Sequence, residues 1–354
     1  MANAGVSLIS SRTSVNWLRG GQEDGWDDFV ARHPDATLFH SLGWKRVIEQ
    51  TFGYEPRYLM AADATGITGV LPLFFVSNPF MGRTLISVPF AVYGGICAKD
   101  EQAREALLQA ACEFARTEDV QYLEARENGP GSYPGFQTKS LYVTFQQNLP
   151  GTADELLKGF PRDTRYMIRK GQKYGLRAIT DNEQLEIFYE IYAHSVRSLG
   201  TPVFSRGFFR SLRSEFGEQC EITVVWHGDK AVAGALSFRF RDWIMPYYGG
   251  SLPEGRTLAA NNFLYWSIMT SALGRGLNRF DFGRSKLGTG AFAFKTQWNM
   301  EERPLPYRYH LVRRKQMPNF SPINPKFKPM TTVWRNLPFW LTKIVGPRLI
   351  GFFP

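Results

Sequence analysis

One order of segments occurs twice in this chain, and that duplication restricts the fold more than any single motif does. Gly69-Val-Leu-Pro-Leu-Phe-Phe75 resembles Gly234-Ala-Leu-Ser-Phe-Arg-Phe240, and a turn-rich segment precedes each. Tyr93-Gly-Gly95 matches Tyr248-Gly-Gly250 further on. Helical periodicity follows over roughly 101–117 and 259–275, and each stretch leads into a strand, Val120–Arg126 and Leu277–Arg284. Both halves open on helices: Trp26–Ala31 and Leu42–Thr51 in the first, Ala153–Lys158, Arg162–Tyr174 and Glu183–Leu199 in the second. A turn cluster, Asn148–Thr152, separates them, and Thr152 with Glu155 forms a capping box. Helices, then antiparallel strands, then a helix and a closing strand give an α+β layer architecture in tandem copies. The expected division is 1–150, 151–302 and a basic tail, 303–354.

Composition locates the charge. The formal net charge is +10, but residues 303–354 hold ten cations and no acid, so the rest of the chain is neutral. The basic character belongs to the tail and favours an anionic surface, whether membrane, nucleic acid or glycan. Three cysteines without CxxC spacing argue against a disulfide framework and a zinc site, and no HExxH occurs, so no metal is expected. The first 17 residues lack the pattern of a secretory leader, and no run of 18 apolar residues occurs. The expected location is cytoplasmic.

The stretch 281–300, DFGRSKLGTGAFAFKTQWNM, holds the densest chemistry. A strand ends in Gly283, a glycine loop carries Arg284 and Lys286, and Lys295 follows among Phe292, Phe294 and Trp298. The loop lacks the G-K-[ST] ending of a phosphate loop, and the segment after it reads as extended. A cation between apolar walls stabilises an oxyanion far better than one in water; the alternative is a lysine reaching solvent from a strand edge. Asp281 is either a general base or the acceptor for backbone N–H groups in the turn at Gly283. Arg284 and Lys286 suit a phosphate or carboxylate, or are solvated loop charges. Gly249 and Gly250 permit close approach of the backbone to a ligand, or form a plain turn. Arg162, Arg165, Arg169 and Lys173 line one helical face, a phosphate-binding stripe or a solvated one.

The pattern of Asn261 or Asn262 to Trp266, an alanine-rich helix, Gly276, Phe280-Asp-Phe-Gly283, Phe294-Lys295 and Trp298 resembles the FemAB family. That family is built of tandem GNAT-like (acyl-CoA N-acyltransferase-like) domains. Arg165-Tyr-Met-Ile-Arg-Lys170 is similar to the family's entry into its second domain. HSVRSLGTPVFSRGFF, residues 194–209, resembles the branch found beside exosortase and PEP-CTERM exopolysaccharide loci. The resemblance covers most of residues 25–302. It implies acyl or aminoacyl transfer onto an amine of a cell-envelope or exopolysaccharide precursor, in one active site carried by the second half. The donor would lie where two strands splay near 245–251 and 280–283, against Tyr248, Gly249, Gly250, Arg256 and Asn261. Lys295 would act at the transferred carbonyl, and Arg165, Arg169, Arg284 and Trp298 would face the acceptor. Alanines replace the glycines that acyl-CoA enzymes place after the arginine at 256. Acyl-CoA, acyl carrier protein and aminoacyl-tRNA therefore all remain as donor substrates, with tRNA a partner only in the last case. The other reading is a non-catalytic scaffold that binds envelope precursors at the membrane.

The last stretch, 327–354, interleaves Trp334, Phe339, Trp340 and Ile344 with Arg335, Lys343 and Arg348, and Pro338 and Pro347 prevent one long helix. It suits either the headgroup region of an anionic membrane or an arm folded over the body.

Overall fold

The computed structural model describes residues 13–127, 133–318 and 328–354. The leader reading above rests mostly on residues 1–12, outside this set. The strands, in chain order, are β1 Ser14–Trp17, β2 Glu55–Pro56, β3 Leu59–Asp63, β4 Gly66–Leu71, β5 Phe74–Asn78, β6 Gly82–Ser87, β7 Cys97–Ala98 and β8 Tyr122–Arg126. There follow β9 Gln137–Asn148, β10 Leu176–Thr180, β11 Cys220–His227, β12 Lys230–Phe240, β13 Trp243–Ser251, β14 Arg279–Asp281, β15 Ser285–Lys286 and β16 Glu301–Leu311. Two sheets result. The smaller runs β1-β3-β4-β7; the larger, of 12 strands, runs β10-β11-β12-β13-β14-β9-β16-β8-β6-β5-β2, with β15 on β9. Pairing is antiparallel except for β6 with β8 and β13 with β14, one parallel pair in each half.

The centre of the large sheet is a reciprocal exchange. β9, from the end of the first half, pairs with β14 of the second. β16, from the end of the second, pairs with β8 of the first, and the two exchanged strands pair with each other. The expected tail therefore does not begin at 303. From Leu305 the strand alternates, with Leu305, Tyr307 and Tyr309 buried and Pro306, Arg308 and His310 half-buried, so a period-two strand lay inside a segment whose cations marked it as tail. A chain ending at Met300 should lose cooperative unfolding in circular dichroism melts, because β8 and β9 would both face water along long unpaired edges. A wild-type melt from that fragment would contradict the exchange.

Local sequence explains the helices around this sheet. Glu101–Thr117 starts where the Asp100 side chain accepts from the Ala103 N–H, and Thr152 with Glu155 makes the reciprocal capping box. Ala260–Gly274 is apolar on every side because the sheet and the basic helix Arg162–Lys173 cover it from two directions. Against Phe263 of that helix, Gly171 leaves no room for a Cβ. β12 reads as one apolar run because the helix Leu185–Leu199 lies on one of its faces and Ala260–Gly274 on the other. A single large core joins the halves, with Trp26, Phe39 and Trp44 packed with Phe216, Phe238 and Tyr247. All three cysteines are free and buried.

Candidate active site

β13 and β14 run parallel and pair only at Trp243 with Arg279 and Ile244 with Phe280. Beyond that point β14 stops at Asp281, whereas β13 continues to Ser251 bonded to β12 alone. The separation has a local cause. The register with β12 steps from Ser237–Pro246 to Leu236–Tyr248, so Tyr247 is an extra residue, a bulge that bends and twists the strand. Pro246 also lacks an N–H. One edge of β13 from Met245 to Ser251 is thus left without a strand partner, and its backbone groups face the gap.

The bulge decides which side chains meet that gap. Tyr248 turns inward and is buried among Tyr192, Phe204, Phe208 and Phe209, so it is a core residue and not the donor contact expected of it. A side chain at Gly250 would collide with Ser195 of Leu185–Leu199, so its close approach is to a helix. Gly249 is exposed, and a side chain there would meet the Tyr265 hydroxyl. Tyr265 went unnoticed in the sequence. Burial pushes its phenol up to about 12, keeping it neutral. Asn261 is half-buried in the first turn of Ala260–Gly274, and Arg256 is exposed just before it on the short helix Pro253–Thr257. Ala259 opens the longer helix at φ 59°, a left-handed conformation rare for alanine, and no side chain caps the end.

Lys295 lies on a helix, Gly290–Thr296, not on the extended segment expected. The Thr289 hydroxyl caps it by accepting from the Phe292 N–H, a signal that the alternating phenylalanines obscured. The ammonium is buried and donates to the carbonyls of Phe282 (2.7 Å), Gly283 (2.9 Å) and Arg284 (3.4 Å), just past the end of β14. It stands 5.6 Å from the centre of the Phe282 ring. Burial lowers its pKa to about 7, against the pull of Asp281, and Arg284 lowers it further. Trp298, assigned to the acceptor by resemblance, is fully buried against Phe160, Phe282 and Phe294 and can touch no ligand.

Asp281 is saturated. One oxygen accepts from Tyr93 (2.6 Å) and Gln146 (2.8 Å), and the other from the Thr144 hydroxyl and the Gly283 N–H (2.7 Å). Tyr93 comes from the loop after β6, and Thr144 and Gln146 from β9, so a carboxylate of the second half is held largely by the first. Glu124 of β8 occupies the matching place in the first half, opposite Tyr309 of β16 and bonded to Arg126 at 2.7 Å.

Arg284 is solvent-exposed although aromatic side chains surround it. It donates to the Tyr307 hydroxyl at 3.0 Å and lies over the Tyr142 ring at 5.0 Å. Arg126 also lies over the Tyr307 ring, 5.3 Å from its centre, and donates to the carbonyls of Val88, Ala91 and Pro354. The helix Arg162–Lys173 flanks the site through Thr164, which donates to the Gln297 carbonyl. Arg165 spends one nitrogen on the Lys158 and Phe160 carbonyls, and Arg169 is exposed. Among the described residues no cluster fit for a metal ion occurs.

A bulged strand parting from a parallel neighbour, with a helix entering beside the gap, has known counterparts. Residues 158–296 match a family described as acetyltransferase (GNAT) domain. Most of the second half is thus similar to a GNAT acetyltransferase domain. The chain is therefore an acyltransferase, and the donor of such a domain is a substrate rather than a resident cofactor. Among solved structures, FemX superposes with a TM-score of 0.66 at 16% identity, over 85% of this chain and 98% of that one. The C-terminal domain of a protein described as a lysylphosphatidylglycerol synthetase from Agrobacterium fabrum gives 0.54 at 14%, over 82% and 91%. A tandem GNAT protein from the clavulanic acid biosynthesis pathway gives 0.53 at 12%, over 84% and 98%. At these identities the likeness is one of fold, and it extends the GNAT architecture to both halves. No curated protein matches the chain.

Proposed function

We propose that this protein moves an acyl or aminoacyl group from an activated donor onto an amine of a cell-envelope or exopolysaccharide precursor. The observation that carries the reading is the parting of β13 from β14 with Lys295 at its closed end. In this reading the donor's carbonyl arm lies along the free edge of β13, over Gly249, and its phosphates or ribose face Arg256 and Asn261 at the uncapped helix end. The fold shared with FemX and with a lysylphosphatidylglycerol synthetase domain supports an envelope acceptor.

Attack on the carbonyl puts negative charge on its oxygen. Lys295 supplies the nearest buried positive charge, and its 3.4 Å contact with the Arg284 carbonyl is the bond an oxyanion would replace. The attacking amine loses its proton to solvent, and Tyr265, neutral at physiological pH, can donate one to the leaving group and be reprotonated from solvent. Asp281 acts as the acceptor that fixes the 281–284 turn, since its lone pairs are already taken. Arg284, exposed with one hydrogen bond, holds an anionic group of the acceptor, and Arg169 lies on the flank where a longer polyanion would pass.

A thermal-shift panel of acetyl-CoA, longer acyl-CoAs, acyl carrier protein thioester and aminoacyl-tRNA tests the reading. At a hundredfold excess over its Kd, a true donor stabilises the fold by about 2.7 kcal/mol, a rise of several degrees. A panel without any shift counts against donor binding.

A further inference from the structure

We infer that the C-terminal arm, residues 328–354, is a docking surface for an anionic lipid bilayer, placed so that the acceptor cleft opens at headgroup depth. The arm has two faces. The inner one is committed to the body. Trp334 is buried and donates to the Thr201 carbonyl, Arg197 donates to the Leu337 carbonyl, and Lys343 pairs with Glu190 at 2.9 Å. Phe339 stacks on His194 at 3.7 Å, and Gly346 lies against Val203. The outer face carries large exposed apolar side chains with Arg335 and Arg348 among them. Val333 and Trp340 are each 62% exposed, Met330 and Ile344 more than half, and Leu199 beside them 62%. Large apolar side chains this exposed and this close together mark an interaction surface.

Charge selects the occupant. Arg335 and Arg348 are exposed on the arm, and no acidic residue occurs from 303 to 354. Two such arms repel each other, which disfavours a second copy; an anionic bilayer accepts tryptophan, aliphatic chains and cations together. The helices Lys328–Asn336 and Phe339–Ile350 are too short to cross a bilayer, and no helix among the described residues is long and apolar enough to do so, so the arm would lie in the interface plane.

The arm also leads to the site. Its last residues cross onto the first half, where Phe80, 57% exposed, packs on Phe352 at 5.3 Å and Asn78 donates to the Phe352 carbonyl. Arg126 then donates to the Pro354 carbonyl, and the same arginine flanks Tyr307, the partner of Arg284. A bilayer along Val333, Trp340, Ile344 and Phe80 would present lipid-borne anionic headgroups to the cleft that Arg284 lines. This last step rests on the acyl-transfer reading; the docking does not.

Co-sedimentation of the full chain with vesicles of phosphatidylcholine alone, and of phosphatidylcholine with phosphatidylglycerol, tests the surface. The mixed vesicles should bind about tenfold more tightly, and added salt should remove that difference. The exposed pair Trp340→Ser with Ile344→Ser should keep the wild-type melting temperature and lose about tenfold in binding. Arg348→Gln should lose about fivefold. Equal binding to both vesicles, no binding to either, wild-type binding by the double variant, or a dimer dissolved by Trp340→Ser in light scattering would each overturn the inference. Vesicle binding is read without turnover, so its failure is distinguishable from a failure of donor binding.

Discussion

Lys295→Met should lower acyl transfer about a hundred- to a thousandfold, the usual effect of removing a preorganised oxyanion partner, while the protein stays folded. Two opposing terms keep the stability change modest. Methionine no longer has to carry charge into a dry site, whereas the carbonyls of Phe282 and Gly283 lose their donor at about 1–3 kcal/mol each. The pH dependence sharpens the test. Only the ammonium form serves an oxyanion, and burial has brought the pKa to about 7 from 10.5, so the rate should fall as pH rises through about 7. Lys295→Arg, which stays charged, should remove that alkaline fall even at reduced rate. Stability moves the other way. Between about pH 7 and 10.5 the unfolded chain keeps a proton that the folded one has lost, so Lys295 makes the fold gain stability with rising pH, and Lys295→Met abolishes that gain. Stopped-assay rates and thermal melts across this range measure both. A Met variant with wild-type turnover would leave Lys295 as a clamp on the 282–284 turn and nothing more.

Asp281→Asn separates a structural carboxylate from a chemical one. The native side chain accepts from Tyr93, Gln146, Thr144 and the Gly283 N–H. An amide presents two N–H groups to donors that cannot accept them all, and hydrogen bonds to a charged partner are worth about 1.5–3 kcal/mol each. The expected result is a loss of about 2–4 kcal/mol, seen as a drop of roughly 3–5 °C in melting temperature, with turnover per folded molecule reduced less than tenfold. Tyr93→Phe, which removes one donor from across the halves, should show a smaller drop. An Asp281→Asn protein that melts like wild type but turns over a hundred- to ten-thousandfold more slowly would restore the general-base role.

The duplicated order was legible because its parts are local: capped helices, strand-like runs and Tyr-Gly-Gly segments each carry their own signal. Which strands pair is not local. Nothing in Gln137–Asn148 or Glu301–Leu311 announces that each closes the sheet of the opposite half, and the cations of the latter hid a strand. Burial of Lys295 followed from its aromatic neighbours. Its helix did not, since Phe292 and Phe294 alternate as in a strand and only Thr289 marks a cap. Tyr248 failed as a donor contact for a geometric reason: one inserted residue, Tyr247, turns every later side chain of β13 to the other face. Trp298 failed because a motif residue can be conspicuous through packing alone. The partners of Asp281 lie 188, 137 and 135 positions away in sequence, out of reach of any spacing rule. The arm, left open between membrane and body, packs on the body with its inner face and keeps large apolar side chains exposed on its outer one.

The central claim is that the gap between β13 and β14 receives the acyl donor. Backbone hydrogen exchange, read by mass spectrometry with and without the donor that raises the melting temperature, tests it most directly. Protection should appear along Met245–Ser251 and in the first turn of Ala260–Gly274, and it should weaken in a Gly249→Val protein whose new side chain crowds the gap. Protection confined to β6 and β8 of the first half, or donor binding untouched by Gly249→Val, would contradict the account.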